Sequence, residues 1–209
     1  MKRSFFGIGM TAVEVIAELV RSFPEIESIV LSVYTPGSSK KFDADRIDRH
    51  GPPEQLIDVS RQTVLAGDTE NIFHPLVSAY TKSGDRHIAF SSEVKLRDSK
   101  ENFFVPLIDF KCEDSPDNLG KIRSFLTKIG QRNGVILSSG QSYHYYGLEL
   151  ISAERWRIFM AKCLLSELRG LGLIDASHLG HSIWDGFSTL RISSSHNHPE
   201  LPRVVSVLS

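Results

Sequence analysis

The stretch from Phe103 onward carries a fixed succession of hydrophobic periods, and that succession narrows the possible folds more than any other feature of the chain. Phe103 to Phe110 is a nearly continuous apolar run, as expected for a strand buried on both faces, and it closes in the polar cluster Asp109, Lys111, Glu113 and Asp114. Asp117 can cap a helix whose Leu119, Ile122, Phe125, Leu126 and Ile129 share one face. Asn133-Gly134 turns the chain into Val135 to Leu137, and Gly140-Gln141 reads as a tight turn into a hairpin partner, Tyr143 to Leu150. A helix from Ala153 to about Leu171 follows, with Trp156, Phe159, Met160, Cys163, Leu164 and Leu168 as its buried stripe, and Phe187 to Ile192 supplies a last strand.

This order, β-α-β-β-α-β, predicts an α/β (α+β) domain of the ferredoxin-like or RNA-recognition type over residues 103–209, with helices on one sheet face and the other face available. Residues 1–102 read as an N-terminal α/β segment packed on that core. Thr11 followed by Glu14 forms a capping box for a helix with Val13, Ile16, Ala17, Leu19 and Val20 on its apolar side, closed by Pro24. Ile29 to Tyr34 and His87 to Ser91 read as strands, Lys95 to Asn102 as a charged turn, and Thr35 to Pro53 as a polar loop.

The 24 basic and 25 acidic residues nearly cancel, which excludes a global positive field. Glu14 and Glu18 interrupt the apolar start, so it reads as a helix start rather than a signal peptide, and no run approaches a membrane span; the expectation is a soluble, cytoplasmic protein without a membrane partner. Cys112 and Cys163 lack a CxxC spacing and read as reduced thiols. His178, His181, His196 and His198 have no companion cysteine pair, which favours a polar turn over a zinc site. Lys40-Lys41-Phe42 and Arg46 to Arg49, with interleaved aspartates, read as a solvated loop.

Two positions apart on a strand, Asp109 and Lys111 emerge on one face, and Glu113 continues the row if the strand persists. Ser138-Ser139-Gly140-Gln141-Ser142-Tyr143-His144 places Ser142 and His144 on one face of the neighbouring strand. A hydroxyl and an imidazole at that alternation can grip phosphate oxygens.

With these residues in place, the chain resembles the archaeo-eukaryotic primase superfamily over about half its length. Leu107-Ile108-Asp109-Phe110-Lys111 looks like the family's first acidic motif, Ser139-Gly140-Gln141-Ser142-Tyr143-His144 like its small-residue-x-His motif, and Leu173-Ile174-Asp175 like its hydrophobe-Asp motif, all in the family's order. The resemblance implies a primase-polymerase-like nucleotidyltransferase of DNA replication or repair. Asp109 and Asp175 would be catalytic ligands of a divalent metal, Mg or Mn, and Asp185 is a rival to Asp175. Ser142, His144 and Arg191 would hold the triphosphate. The implied partners are a nucleoside triphosphate, nucleic acid, and a helicase or other nucleic-acid-processing protein.

Lys111 stands where the family carries its second acid. An ammonium there repels a metal but can neutralise a phosphate, which keeps binding and removes the catalytic clamp. Glu113 is the candidate replacement, although it lies roughly 6 to 7 Å further along the strand. The alternative reading is therefore a catalytically inactive primase-like binding or assembly module. A third, a ferredoxin-like module without a nucleotide site, applies if the three motifs fail to converge.

Overall fold

A computed structural model describes residues 5–36, 56–69, 75, 87–194 and 199–208. Helix α1 (Ala12–Ser22) opens with the expected capping box: the Thr11 hydroxyl accepts the Glu14 N–H, and the Glu14 carboxylate accepts the Thr11 N–H at 2.7 Å. Strands β1 (Ile26–Pro36), β2 (Leu56–Leu65), β3 (His87–Leu96) and β4 (Asn102–Phe104) follow. Then come β5 (Leu107–Asp109), α2 (Pro116–Lys128), β6 (Gly134–Ser138), β7 (Tyr143–Gly147), β8 (Ile151–Ser152) and α3 (Ala153–Leu168). Helix α4 (Ala176–Asp185), β9 (Thr189–Arg191) and β10 (Arg203–Leu208) complete the described chain. Among the described residues no helix is long and apolar enough to cross a membrane.

The fold is α+β, with the strands in two antiparallel sheets. One has the order β2-β1-β3-β4-β8 with β9 attached to β3; the other has the order β10-β6-β7-β5. The strand-helix-strand-hairpin unit from β5 to β7 is present, and the central order β5-β7-β6 follows from it.

Four expectations need correction. The run Phe103 to Phe110 is two strands in different sheets, because Pro106 has no N–H to continue a ladder; Val105 donates to the Ser92 carbonyl and the Pro106 carbonyl accepts from Gly147. The strand within Phe187 to Ile192 does not join β5, β6 and β7: Ala89 pairs with Arg191 in the first sheet, and β10 is the strand beside β6. Helix α2 is capped by Ser115, whose hydroxyl accepts from Asn118, with Pro116 at its start and Asp117 in the first turn. Helix α3 stops at Leu168 and the chain leaves it through Gly170 at φ +87°.

The face of the second sheet that was expected to be open is also covered. Residues alternate along its strands. Ile108, Phe110, Ile136, Tyr143 and Tyr145 pack with α2 and α3. Leu107, Val135, Leu137 and Tyr146 pack instead with α1 and the first sheet, where Tyr146 stacks on Phe90 at 6.3 Å. An apolar row of that length on both faces demands cover on both. The polar end of the same face carries His144, which is buried, and Asp109, which is partly exposed.

Candidate active site

Strands β5 and β7 place Asp109 directly opposite His144. On the other flank of β5, Phe110 bridges Ile174: Lys111 donates its N–H to the Leu173 carbonyl at 2.9 Å, and Asp175 donates its N–H to the Asp109 carbonyl at 3.1 Å. Asp109 thus has His144 on one side and Asp175 on the other. The intervening Phe110, Ile174, Tyr143 and Tyr145 all belong to the helix-side core, so alternation directs the three polar residues to the opposite face. His144 Nε2 lies 3.6 Å from Asp109 Oδ1, beyond hydrogen-bond reach; the imidazole is 6% exposed and the carboxylate 29%.

Asp175 caps α4, its Oδ1 accepting from the N–H groups of Ser177 and His178 at 2.9 and 3.1 Å. The same turn fixes His178, whose Nε2 sits 2.8 Å from the Thr189 carbonyl oxygen. A carbonyl only accepts, so Nε2 carries the proton. Arg191, nearly buried, donates Nη2 to the Ser139 carbonyl at 3.1 Å and Nη1 to the Ser193 carbonyl. It therefore ties β9 to the turn between β6 and β7. In that turn Gly140 adopts φ +92°, a conformation that L side chains rarely adopt, and the Ser139 and Ser142 hydroxyls meet at 3.1 Å.

Charge follows the same map. Burial pushes the Asp109 carboxyl up to about 6; His178 and Arg191 pull it down, and Asp175 pushes it further up. Burial also raises Tyr34, to about 12, with Arg191 lowering it and Asp109 raising it. Tyr146 is raised by burial under the same two charges, and burial lowers the Arg191 guanidinium. Sequence reasoning missed Tyr34 and His178 as members of this group. Tyr34 belongs to the N-terminal sheet and has no local signal; His178 follows Asp175 by one helical turn, a spacing that could have flagged it.

The three motifs therefore converge, and Asp109, His144, Asp175 and Arg191 share one electrostatic neighbourhood. Asp185 does not join them: it is exposed at the far end of α4, about 15 Å along the helix from Asp175. Glu113 is exposed beyond the end of β5, and its carbonyl accepts from the Asn118 side chain in the loop leading to α2. Lys111 also departs from the expected row, because the chain turns out of the strand after Phe110. Its Nζ pairs with Glu167 Oε1 at 3.2 Å, while Glu167 Oε2 accepts from the N–H groups of Leu173 and Ile174.

Over residues 74–203 the chain matches the family model described as AEP-like, archaeo-eukaryotic primase 1D-like. The chain belongs to this family. No curated protein and no solved structure matches it. The match includes every residue of the convergent group except Tyr34, which this AEP-like protein supplies from β1.

Among the described residues no group of three or more His, Cys, Asp or Glu side chains is placed to hold a metal. Two carboxylates are the number that Mg commonly takes from a protein when substrate phosphates complete its shell. Asp109 and Asp175 of the AEP-like domain fit that role and do not fit an all-protein cage. The zinc alternative gains nothing: the His178 ring is committed to Thr189, and His196 and His198 lie outside the described residues, as does the 40–49 tract.

Proposed function

We propose that this primase-like domain binds the phosphates of a nucleoside triphosphate or of nucleic acid at the row His144, Asp109, Asp175, together with one divalent cation, and serves template-dependent nucleotidyl transfer. The observation that carries this is the main-chain pairing that brings Asp175 beside Asp109. A divalent ion shared by two carboxylates and a phosphate offsets charge and polarises the phosphoryl group. His144 and Ser142 contribute hydrogen bonds to phosphate oxygens. Arg191 spends two donor groups on carbonyls; it holds the Ser139 to Ser142 turn in place and adds positive potential, with its remaining N–H groups available to a phosphate. A helicase or other nucleic-acid-processing protein is the partner class that goes with this activity.

Lys111 favours a second reading. Its pairing with Glu167 leaves the pocket with two acids where two-metal transfer needs a fuller set, as in an inactive binding or assembly module. Titration calorimetry of a nucleoside triphosphate with and without magnesium, on the unmodified chain, Asp109→Asn and Asp175→Asn, tests the site. Magnesium-dependent binding that both substitutions abolish is the expected result; binding indifferent to both overturns it. Primer extension by the same proteins then separates the readings, since the inactive module binds without extending.

A further inference from the structure

Helix α3 is apolar on both sides. Trp156, Phe159, Met160 and Cys163 are buried in the core. The opposite, solvent-facing side should be charged, yet it carries Ile158, Ala161, Leu165 and Leu168, spaced three, four and three apart. Ile158 is 49% exposed, Leu165 52% and Leu168 74%. Large apolar side chains aligned on an exposed helix face mark a contact surface, and this spacing is that of an a/d seam.

The rim of the seam identifies what covers it. Arg155, Lys162 and Arg169 recur at intervals of seven along one edge, and Arg157 lies on the other. Glu154 is the one acid on this side of the helix, at its N-terminal end, and Arg155 also meets Glu149 at 3.8 Å. Lys162 reaches the Ile129 carbonyl at 3.2 Å and still leaves its charge beside the seam. A second copy packed on the seam places basic rim against basic rim: antiparallel helices juxtapose Lys162 with its equivalents, and parallel helices juxtapose Arg157 with Lys162.

We propose that α3 is a docking surface for an amphipathic helix of another protein, one with leucine-type a and d residues and an acidic rim. No residue of this surface belongs to the nucleotide site, so the proposal stands apart from the activity assigned there.

Fluorescence anisotropy of the full chain tests it with two synthetic helical peptides, both with leucine at a and d, one with glutamate and one with lysine at e and g. The acidic peptide is expected to bind at least about tenfold more tightly than the basic one, because juxtaposed like charges penalise the wrong partner. The double substitution Leu165→Glu, Leu168→Glu should abolish binding, while Leu65→Glu, an exposed leucine on β2, should leave it intact. Arg155→Glu with Arg169→Glu should reverse the preference between the peptides, a result that loss of folding cannot produce. Equal binding of both peptides, binding of neither, or self-association of the chain through Leu165 and Leu168 in sedimentation velocity overturns the proposal.

Discussion

Asp175 is held beside Asp109 by the main chain, its N–H donating to the Asp109 carbonyl oxygen at 3.1 Å, so the two carboxylates are neighbours whatever their charges prefer. Burial raises the Asp109 carboxyl and Asp175 raises it further, against the pull of His178 and Arg191. Gathering these charges in one place costs stability, which is common where a protein is built to act rather than only to fold.

That cost sets a pH signature. The Asp109 carboxyl titrates near 6 in the folded protein against an ordinary 3.8, so its favourable contribution is complete below the unfolded value and is lost as pH rises through about 6. Asp109→Asn should therefore be about 2 kcal/mol more stable than the unmodified protein near pH 8 and about equal to it near pH 4. Urea denaturation at the two pH values measures this, and a stability difference that does not change with pH would contradict it.

Glu167 is predicted to matter more than the lysine it pairs with. Glu167→Ala leaves the Leu173 and Ile174 N–H groups without their acceptor and should cost about 2 kcal/mol, loosening the segment that carries Asp175 and weakening nucleotide binding from a distance. Lys111→Ala removes a half-exposed lysine and leaves the nearly buried Glu167 its two N–H donors, so it should cost about 1 kcal/mol with nucleotide affinity unchanged. Lys111→Asp should lower stability by setting an acid against Glu167, without creating a cation site. Denaturation and calorimetry on the three variants decide it: a strong loss of nucleotide affinity in Lys111→Ala would place that lysine in the pocket after all.

At Asp175 the cap and the proposed cation site can be separated. Asparagine caps a helix about as well as aspartate, so Asp175→Asn should keep its melting temperature, whereas Asp175→Ala should cost about 1 kcal/mol. Both should lose magnesium-dependent nucleotide binding. Retention of that dependence in Asp175→Asn would remove the carboxylate from the site.

Gly147 shows how far from the site a fault can act. A Cβ there would meet the Pro106 ring at 2.8 Å, and the ring belongs to the turn that launches β5. Gly147→Ala should cost about 2 kcal/mol and displace Asp109 as well. Weaker nucleotide binding together with a lower melting temperature is the expected pair of effects; an unchanged melting temperature would contradict it.

Local chemistry was the legible part of the sequence. The Thr11 and Glu14 box, the alternation that sets His144 on the face opposite Tyr143 and Tyr145, and the Gly140 turn each depend on neighbours within a few residues, and each is present. The failures concern partners chosen across the whole chain. The stretch containing β9 was recognisable as a strand, but its partner is β3 because the apolar faces of two sheets had to be covered together. Pro106 was a readable signal that the run Phe103 to Phe110 breaks, and Ser115-Pro116 that α2 starts there rather than at Asp117. The swing of Lys111 toward Glu167 had no local trace, since it depends on where α3 packs.

The short pairing of residues before α1 with β10 has a consequence for how the protein is made. Gly9 donates to the Val204 carbonyl, Val204 to that of Met10, and Ala12 to that of Pro202. On a ribosome, β10 is made well after α1, with the other described strands and helices between them. Until Val204 leaves the exit tunnel, the apolar flank of α1, with Val13, Ile16 and Val20, has no β10 to close against. A nascent chain in that state still offers part of that flank to its neighbours, so a translation pause before β10 prolongs its exposure to aggregation and to chaperones.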